Sequence, residues 1–158
     1  MVRPIIEYGN VVWAPYLKQD IQAIENIQKN FTKRIFGLNK MSYHERLTLL
    51  QLPSLEYRRL RGDMIEVFKI IHGIYDSKTT NKLLTRVPED STTRKTNNLN
   101  LQKVRTNNKP FQNFFTNRIN NTWNALPNDV VNAMNVNCFK NKIDAHFRCY
   151  IYKTDLNS

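Results

Sequence analysis

The chain has 158 residues, 41% of them hydrophobic and 23% charged, with four glycines and six prolines. That length supports one domain or a domain with a small appendage, and the globular composition excludes collagen-like and linker-like chains. Twenty-four Lys and Arg against 13 Asp and Glu leave a net charge of +11, which points to a polyanionic partner.

In chain order, residues 2–13 read as an apolar helix-like segment with no polar lead-in, as though the chain starts inside an element. Its apolar run Val11, Val12, Trp13 and Ala14 is too short for a secretion leader or a membrane span. Without a secretory context, Cys138 and Cys149 are expected as reduced thiols. The expected location is the nucleus or cytoplasm, with no membrane partner.

Trp13, Pro15 and Tyr16 suggest a packed corner. A second helix is predicted over residues 18–36, with Leu17, Ile21, Ile24, Phe31 and Ile35 as its inward stripe and Gly37 as its stop. Lys29, Lys33 and Arg34 fall outside that stripe. Ser42 and Glu45 form a capping box and open a short helix through Leu50.

Residues 52–73 organise the chain. Pro53 breaks the preceding helix, Ser54 is a good N-cap and Gly73 a good stop. Tyr57, Leu60, Met64, Val67, Phe68 and Ile71 recur at three- and four-residue spacing and share a face. Arg58, Arg59, Gly62, Glu66 and Lys69 fall opposite, where Arg59 can pair with Asp63 and Glu66 with Lys69. Arg58 has no acid at helical spacing. Arg61 lies at the edge of the stripe, where its stem can pack and its head reach outward. Gly62 in mid-helix costs about 1 kcal/mol relative to Ala, which suggests a backbone approached closely.

The texture then changes. Residues 76–109 are polar, rich in Thr and Asn, and lack a helical period. Leu99, Leu101 and Val104 hint at a strand that could pair with residues 92–96 as a hairpin. Residues 79–118 carry eight Lys or Arg, among them Arg94, Lys95, Lys103 and Arg105, against two acids. A helix is predicted from Pro110 to Leu126, with Phe111, Phe114, Phe115, Ile119 and Trp123 as an aromatic stripe. Base stacking by these rings competes with the simpler reading that they form core. A last helix starts near Asn135 or Asn137 and turns Phe139, Ile143, Phe147 and Tyr150 inward.

The predicted fold is therefore mainly α: an N-terminal bundle of about four helices over 1–75, a polar basic loop over 76–109 with a candidate hairpin, and two C-terminal helices over 110–158. Catalytic chemistry is hard to find. The adjacent acids Glu89 and Asp90 lie in the polar loop, no glycine-rich phosphate loop is present, and His44, His72 and His146 are scattered. Cys138 sits more than two helical turns from His146 and Cys149, a poor start for zinc. No cofactor, metal or catalytic residue is expected.

Four blocks resemble a known family. They are RPIIEYGNVVWAPY at 3–16, IENIQKNFTKRIFGL at 24–38, YHERLTLLQLPSLEYRRLRGDMIEVFKIIHG at 43–73 and FFTNRINNTWNALPNDVVNAMNVNCFKNKID at 114–144. In this order they resemble the C-terminal region of reverse transcriptases from non-LTR, jockey-like retrotransposons. The likeness runs from residue 2 to about 147, and the block around residues 52–73 is the most specific. The resemblance implies the helical thumb and the post-thumb region, C-terminal to the palm. The family's aromatic-Ala-Asp-Asp metal motif has no counterpart here, so the resemblance implies a non-catalytic fragment of an RNA-directed DNA polymerase, not an enzyme on its own. A thumb holds the template–primer duplex in register, which calls for stiff helices with a basic, sequence-blind face.

The expected phosphate-contacting residues are Lys29, Lys33, Arg34, Arg58, Arg61, Arg94, Lys95, Lys103 and Arg105. Their expected partner is RNA or an RNA–DNA duplex. A protein–protein module is the alternative, with apolar Ile5, Ile6, Val11 and Val12 exposed to the missing palm or to a second copy. A decayed reading frame with no selected role is the third.

Overall fold

The computed structural model describes residues 8–80, 82–88 and 96–152. Ile5, Ile6, Arg94 and Lys95 lie outside the described residues, as does most of the stretch expected to pair with the strand near Leu101. The described chain is mainly helical: α1 Lys18–Lys33, α2 Tyr43–Leu49, α3 Leu55–Ile71, the single turn α4 Ser77–Thr80, the short α5 Lys109–Gln112, α6 Phe115–Asn124, the turn α7 Asn128–Val131 and α8 Val136–His146. No helix among them is long and apolar enough to cross a membrane.

The central helix is α3, because α1, α6 and α8 all pack against it. Both of its expected ends are present. Ser54 Oγ accepts the Tyr57 N–H at 3.2 Å, and Gly73 takes φ +66°, the left-handed conformation that closes a helix. Its buried surface is wider than one apolar stripe. Leu55, Tyr57, Met64, Ile65, Val67 and Phe68 are buried, and so are Arg59 and Asp63. Arg59 therefore does not belong to an outward basic face, and Asp63 is held by Arg118 rather than by Arg59 alone. Gly62 has its reason in the N-terminal loop: an added Cβ would lie 2.8 Å from Asn10 Nδ2.

The main core joins both halves of the sequence. Met64, Val67 and Phe68 of α3 meet Leu101, Phe115, Ile119, Trp123, Leu126, Val130, Val131, Phe139 and Ile143. Phe68 stacks on Phe139 with ring centroids 4.4 Å apart. The segment after residue 110 is thus built into the same core as α3. The last helix is capped by Asn135, whose Oδ1 accepts the Cys138 N–H at 2.8 Å.

The polar loop also enters this core. Leu101 bridges Arg86 antiparallel, not residues 92–96, with Val87 N–H donating to Asn100 O and Gln102 N–H to Thr85 O. Asparagine amides fasten it to α6, because a primary amide reproduces the donor and acceptor of a backbone peptide. Leu101 N–H donates to Asn124 Oδ1, and Asn124 Nδ2 donates back to Leu101 O, both at 2.8 Å. Asn97 Nδ2 donates to the Trp123 and Leu126 carbonyls at the end of α6.

Two further expectations are corrected. The first concerns α1, which buries Glu25, Gln28 and Thr32. Leu17, Ile27, Phe31 and Ile35 are exposed, Phe31 at 62%, and Phe36 beyond the helix is fully exposed. Hydrogen bonding decides this. Tyr43 Oη donates to Glu25 Oε1 at 2.6 Å, and the Leu55 N–H at the start of α3 donates to Glu25 Oε2 at 3.0 Å. Gln28 Nε2 donates to Pro53 O at 3.1 Å, and Arg46 Nε donates to Thr32 Oγ1 at 3.2 Å. A polar seam joins α1 to α2 and to the head of α3; Ile21 and Ile24 stay half-buried beside it, while Leu17, Ile27, Phe31 and Ile35 are left exposed.

The second correction concerns the aromatic helix. It breaks at Asn113 and Phe114, and Phe114 is extended at φ −65°, ψ 150°. Phe115, Ile119 and Trp123 reach the core, whereas Phe111 and Phe114 are 43% and 49% exposed.

Candidate nucleic-acid interface

An excess of cations matters for binding only where acids do not neutralise it locally. Among the described residues most acids have structural work. Glu25 holds the head of α3, and Glu45 completes the capping box, accepting the Ser42 N–H at 2.7 Å. Asp63 accepts a fork from Arg118 Nε and Nη2 at 2.8 and 2.9 Å. Glu66 pairs with Lys69 at 2.7 Å. Asp144 pairs with Arg61 at 2.6 Å and accepts the Tyr57 hydroxyl at 2.7 Å.

The expected contact residues then divide. Lys29 and Lys33 stand one turn apart on α1, Arg34 caps it, and all three are exposed. Among the described residues they form no ion pair. At 3.6 residues per turn, Lys29 and Lys33 lie on the far side of α1 from Phe31, so α1 has a buried polar side, a basic side and an exposed apolar side. Arg58 is half-buried on α3. Lys103 and Arg105 are exposed ahead of α5, and Lys103 Nζ donates to Asn121 Oδ1 at 3.3 Å. The exposed Lys109 adds to this second group.

Arg61 is the correction. Its guanidinium grips Asp144 with two hydrogen bonds, Nε to Oδ1 at 2.6 Å and Nη2 to Oδ2 at 2.8 Å. It is a clamp between α3 and α8, not an outward-reaching phosphate contact. Eighty-three residues separate the partners, so no local spacing announces the pair.

The clamp perturbs its members. Burial pushes the Asp144 carboxyl up, but hydrogen bonds from Arg61 and Tyr57 outweigh it and hold the carboxyl below its ordinary value. Burial first, and then Asp144, push the Tyr57 hydroxyl well above the usual tyrosine range. At Asp63 burial prevails over the Arg118 fork, and the carboxyl is raised. Because Asp144 is depressed in the folded state, its stabilisation is present above the ordinary Asp range near pH 4 and is lost as pH falls through the folded value. Asp144→Asn should therefore cost about 1 kcal/mol at pH 7, discounted for the pair's partial exposure. The gap to the unaltered protein should close toward pH 3. Thermal unfolding at pH 7, 5 and 3 measures it, and a gap that stays constant would contradict the assignment.

An open cleft of about 550 Å³ lies between the N-terminal corner, α3, α6 and the end of α8, lined by Tyr16, Asp63, Arg118, Asn121, Phe147 and Tyr150. Within it Asp63 is held by Arg118. Among the described residues no three His, Cys, Asp or Glu side chains come close enough to hold a metal ion. No family model, curated protein or solved structure matches this chain.

Proposed function

We propose that this chain binds the phosphate backbone of RNA or RNA–DNA duplexes through its exposed cations, as the thumb-like, non-catalytic part of a retrotransposon RNA-directed DNA polymerase acting in the nucleus or cytoplasm. The observation that carries the reading is the segregation of charge. The carboxylates of Glu25, Asp63 and Asp144 tie helices together, while Lys29, Lys33, Arg34, Lys103, Arg105 and Lys109 face outward without ion pairs among the described residues. Rigid helices with such cations suit a contact that positions a duplex without reading its sequence. The order of the four sequence blocks supplies the link to a polymerase thumb.

The test is a fluorescence-anisotropy titration of an RNA–DNA duplex with the unaltered protein and with the triple variant Lys29→Ala, Lys33→Ala, Arg34→Ala. The three side chains are exposed, so helicity should persist. Affinity at about 50 mM salt should fall at least tenfold, and the salt slope should shrink by roughly 0.9 per contact removed. Unchanged affinity in the folded variant would place α1 outside the interface.

The outer side of α1 favours a second reading. Ile27, Phe31, Ile35 and Phe36 form an exposed apolar surface, which suits self-association. Sedimentation velocity separates the readings: a coefficient rising with concentration, and suppressed by Phe31→Glu, supports association, whereas a concentration-independent monomer opposes it.

A further inference from the structure

Phe111 and Phe114 stand apart from the other aromatic residues of their segment. Phe115 is 6% exposed and Trp123 fully buried, yet these two rings keep nearly half their surface in water. Their planes are parallel to within 3° and their centroids 6.5 Å apart. The break at Asn113 and Phe114 turns them out of the core.

The elbow that carries them is braced. Gln112 Nε2 donates to Thr106 O at 2.7 Å, and Asn108 N–H donates to Thr106 Oγ1 at 3.2 Å. Asn113 Nδ2 donates to Lys109 O, and Asn117 Nδ2 to Phe111 O, at 2.8 and 3.0 Å. These bonds hold Arg105, Lys109 and both rings on one short stretch. The stretch itself carries no negative charge: residues 91–128 contain no Asp or Glu. Asp63 reaches α6 but is held by Arg118.

The geometry points to an unpaired-strand subsite on residues 103–114, in which Phe111 and Phe114 stack bases while Lys103, Arg105 and Lys109 hold the flanking phosphates. This rests on the backbone-binding reading above and extends it from duplex to single strand. A duplex keeps its base faces stacked internally, so exposed rings gain from nucleic acid chiefly where bases are unpaired. Stacking is tolerant of sequence, because every base presents a π-face. An apolar protein partner fits poorly, since it would strip water from three cations and offer them no acid. The ligand class is therefore single-stranded polynucleotide, such as the unpaired template next to a duplex.

The test uses the full chain, a labelled oligouridylate and a blunt RNA–DNA duplex of the same length. Phe111→Ala with Phe114→Ala should weaken oligouridylate binding at least about tenfold and leave duplex binding within about twofold. Phe111→Trp should keep single-strand affinity, and its added fluorescence should be quenched by the oligonucleotide. Equal losses on both ligands, or no loss on oligouridylate, would overturn the subsite. Should the double alanine variant lose its helicity, the tryptophan variant decides, and an unquenched ring refutes the proposal. If the duplex fails to bind while oligouridylate binds and responds to Phe111, the duplex reading fails and the subsite stands. If the duplex binds and the rings make no difference, the subsite alone fails.

Discussion

Glu25→Ala is expected to destabilise the protein by about 2–4 kcal/mol, while Phe31→Ala on the same helix changes stability by about 0.5 kcal/mol or less. An ordinary amphipathic helix would show the reverse. Glu25 is 2% exposed and Phe31 62%, so only the first loses anything buried. Alanine at 25 leaves the Tyr43 hydroxyl and the Leu55 N–H without their acceptor. An unsatisfied buried donor costs about 1–3 kcal/mol. The Leu55 donor also belongs to the first turn of α3, whose N–H groups have no partner within the helix. A carboxylate there offsets the positive end of the helix dipole as well. Urea unfolding followed by circular dichroism measures both variants. Equal effects, or a larger loss at Phe31, would mean that α1 packs through its apolar side.

The largest loss is expected at Trp123. Trp123→Ala should cost about 3–5 kcal/mol, the range for removing a large buried aromatic ring. Trp123 is fully buried, and its ring lies 6.0 Å from that of Phe139 on α8. Its indole N–H donates to Leu99 O at 2.9 Å, so the substitution also removes a fastening of the polar loop. Trp123→Phe retains most of the apolar contact and should cost less than alanine. Denaturant midpoints for the two variants, with amide-exchange protection at residues 97–102, report core and loop together. Full protection of the loop in a destabilised Trp123→Ala protein would show that Leu99 and Leu101 are held without the indole.

Which parts of this fold were legible depends on how far apart the partners lie. The Ser42–Glu45 box, the Ser54 cap and the Gly73 stop are local, and each occurs where residue type and spacing place it. Phe139 and Ile143 share one face of α8 and are fully buried. That α1 buries Glu25, Gln28 and Thr32 and leaves Phe31 outside was not legible. Hydrophobic periodicity cannot register that Glu25 finds a tyrosine 18 residues away and an amide 30 residues away. The break before α6 was equally hidden, because Phe111, Phe114 and Phe115 fit a helical stripe while the backbone changes direction between them. The candidate contacts obey the same rule. Exposed Lys29, Lys33 and Arg34 lie at the end of a helix whose existence was clear. Arg61 looked available because Asp144 is remote in sequence and adjacent only in the fold.

The salt dependence of RNA–DNA duplex binding by the unaltered protein tests the central claim most directly. Releasing several condensed counterions should make log Kobs fall against log salt with a slope of about −3 or steeper between about 50 and 200 mM. A flat dependence, or no binding at about 50 mM, would contradict the claim that the outward cations meet a phosphate backbone.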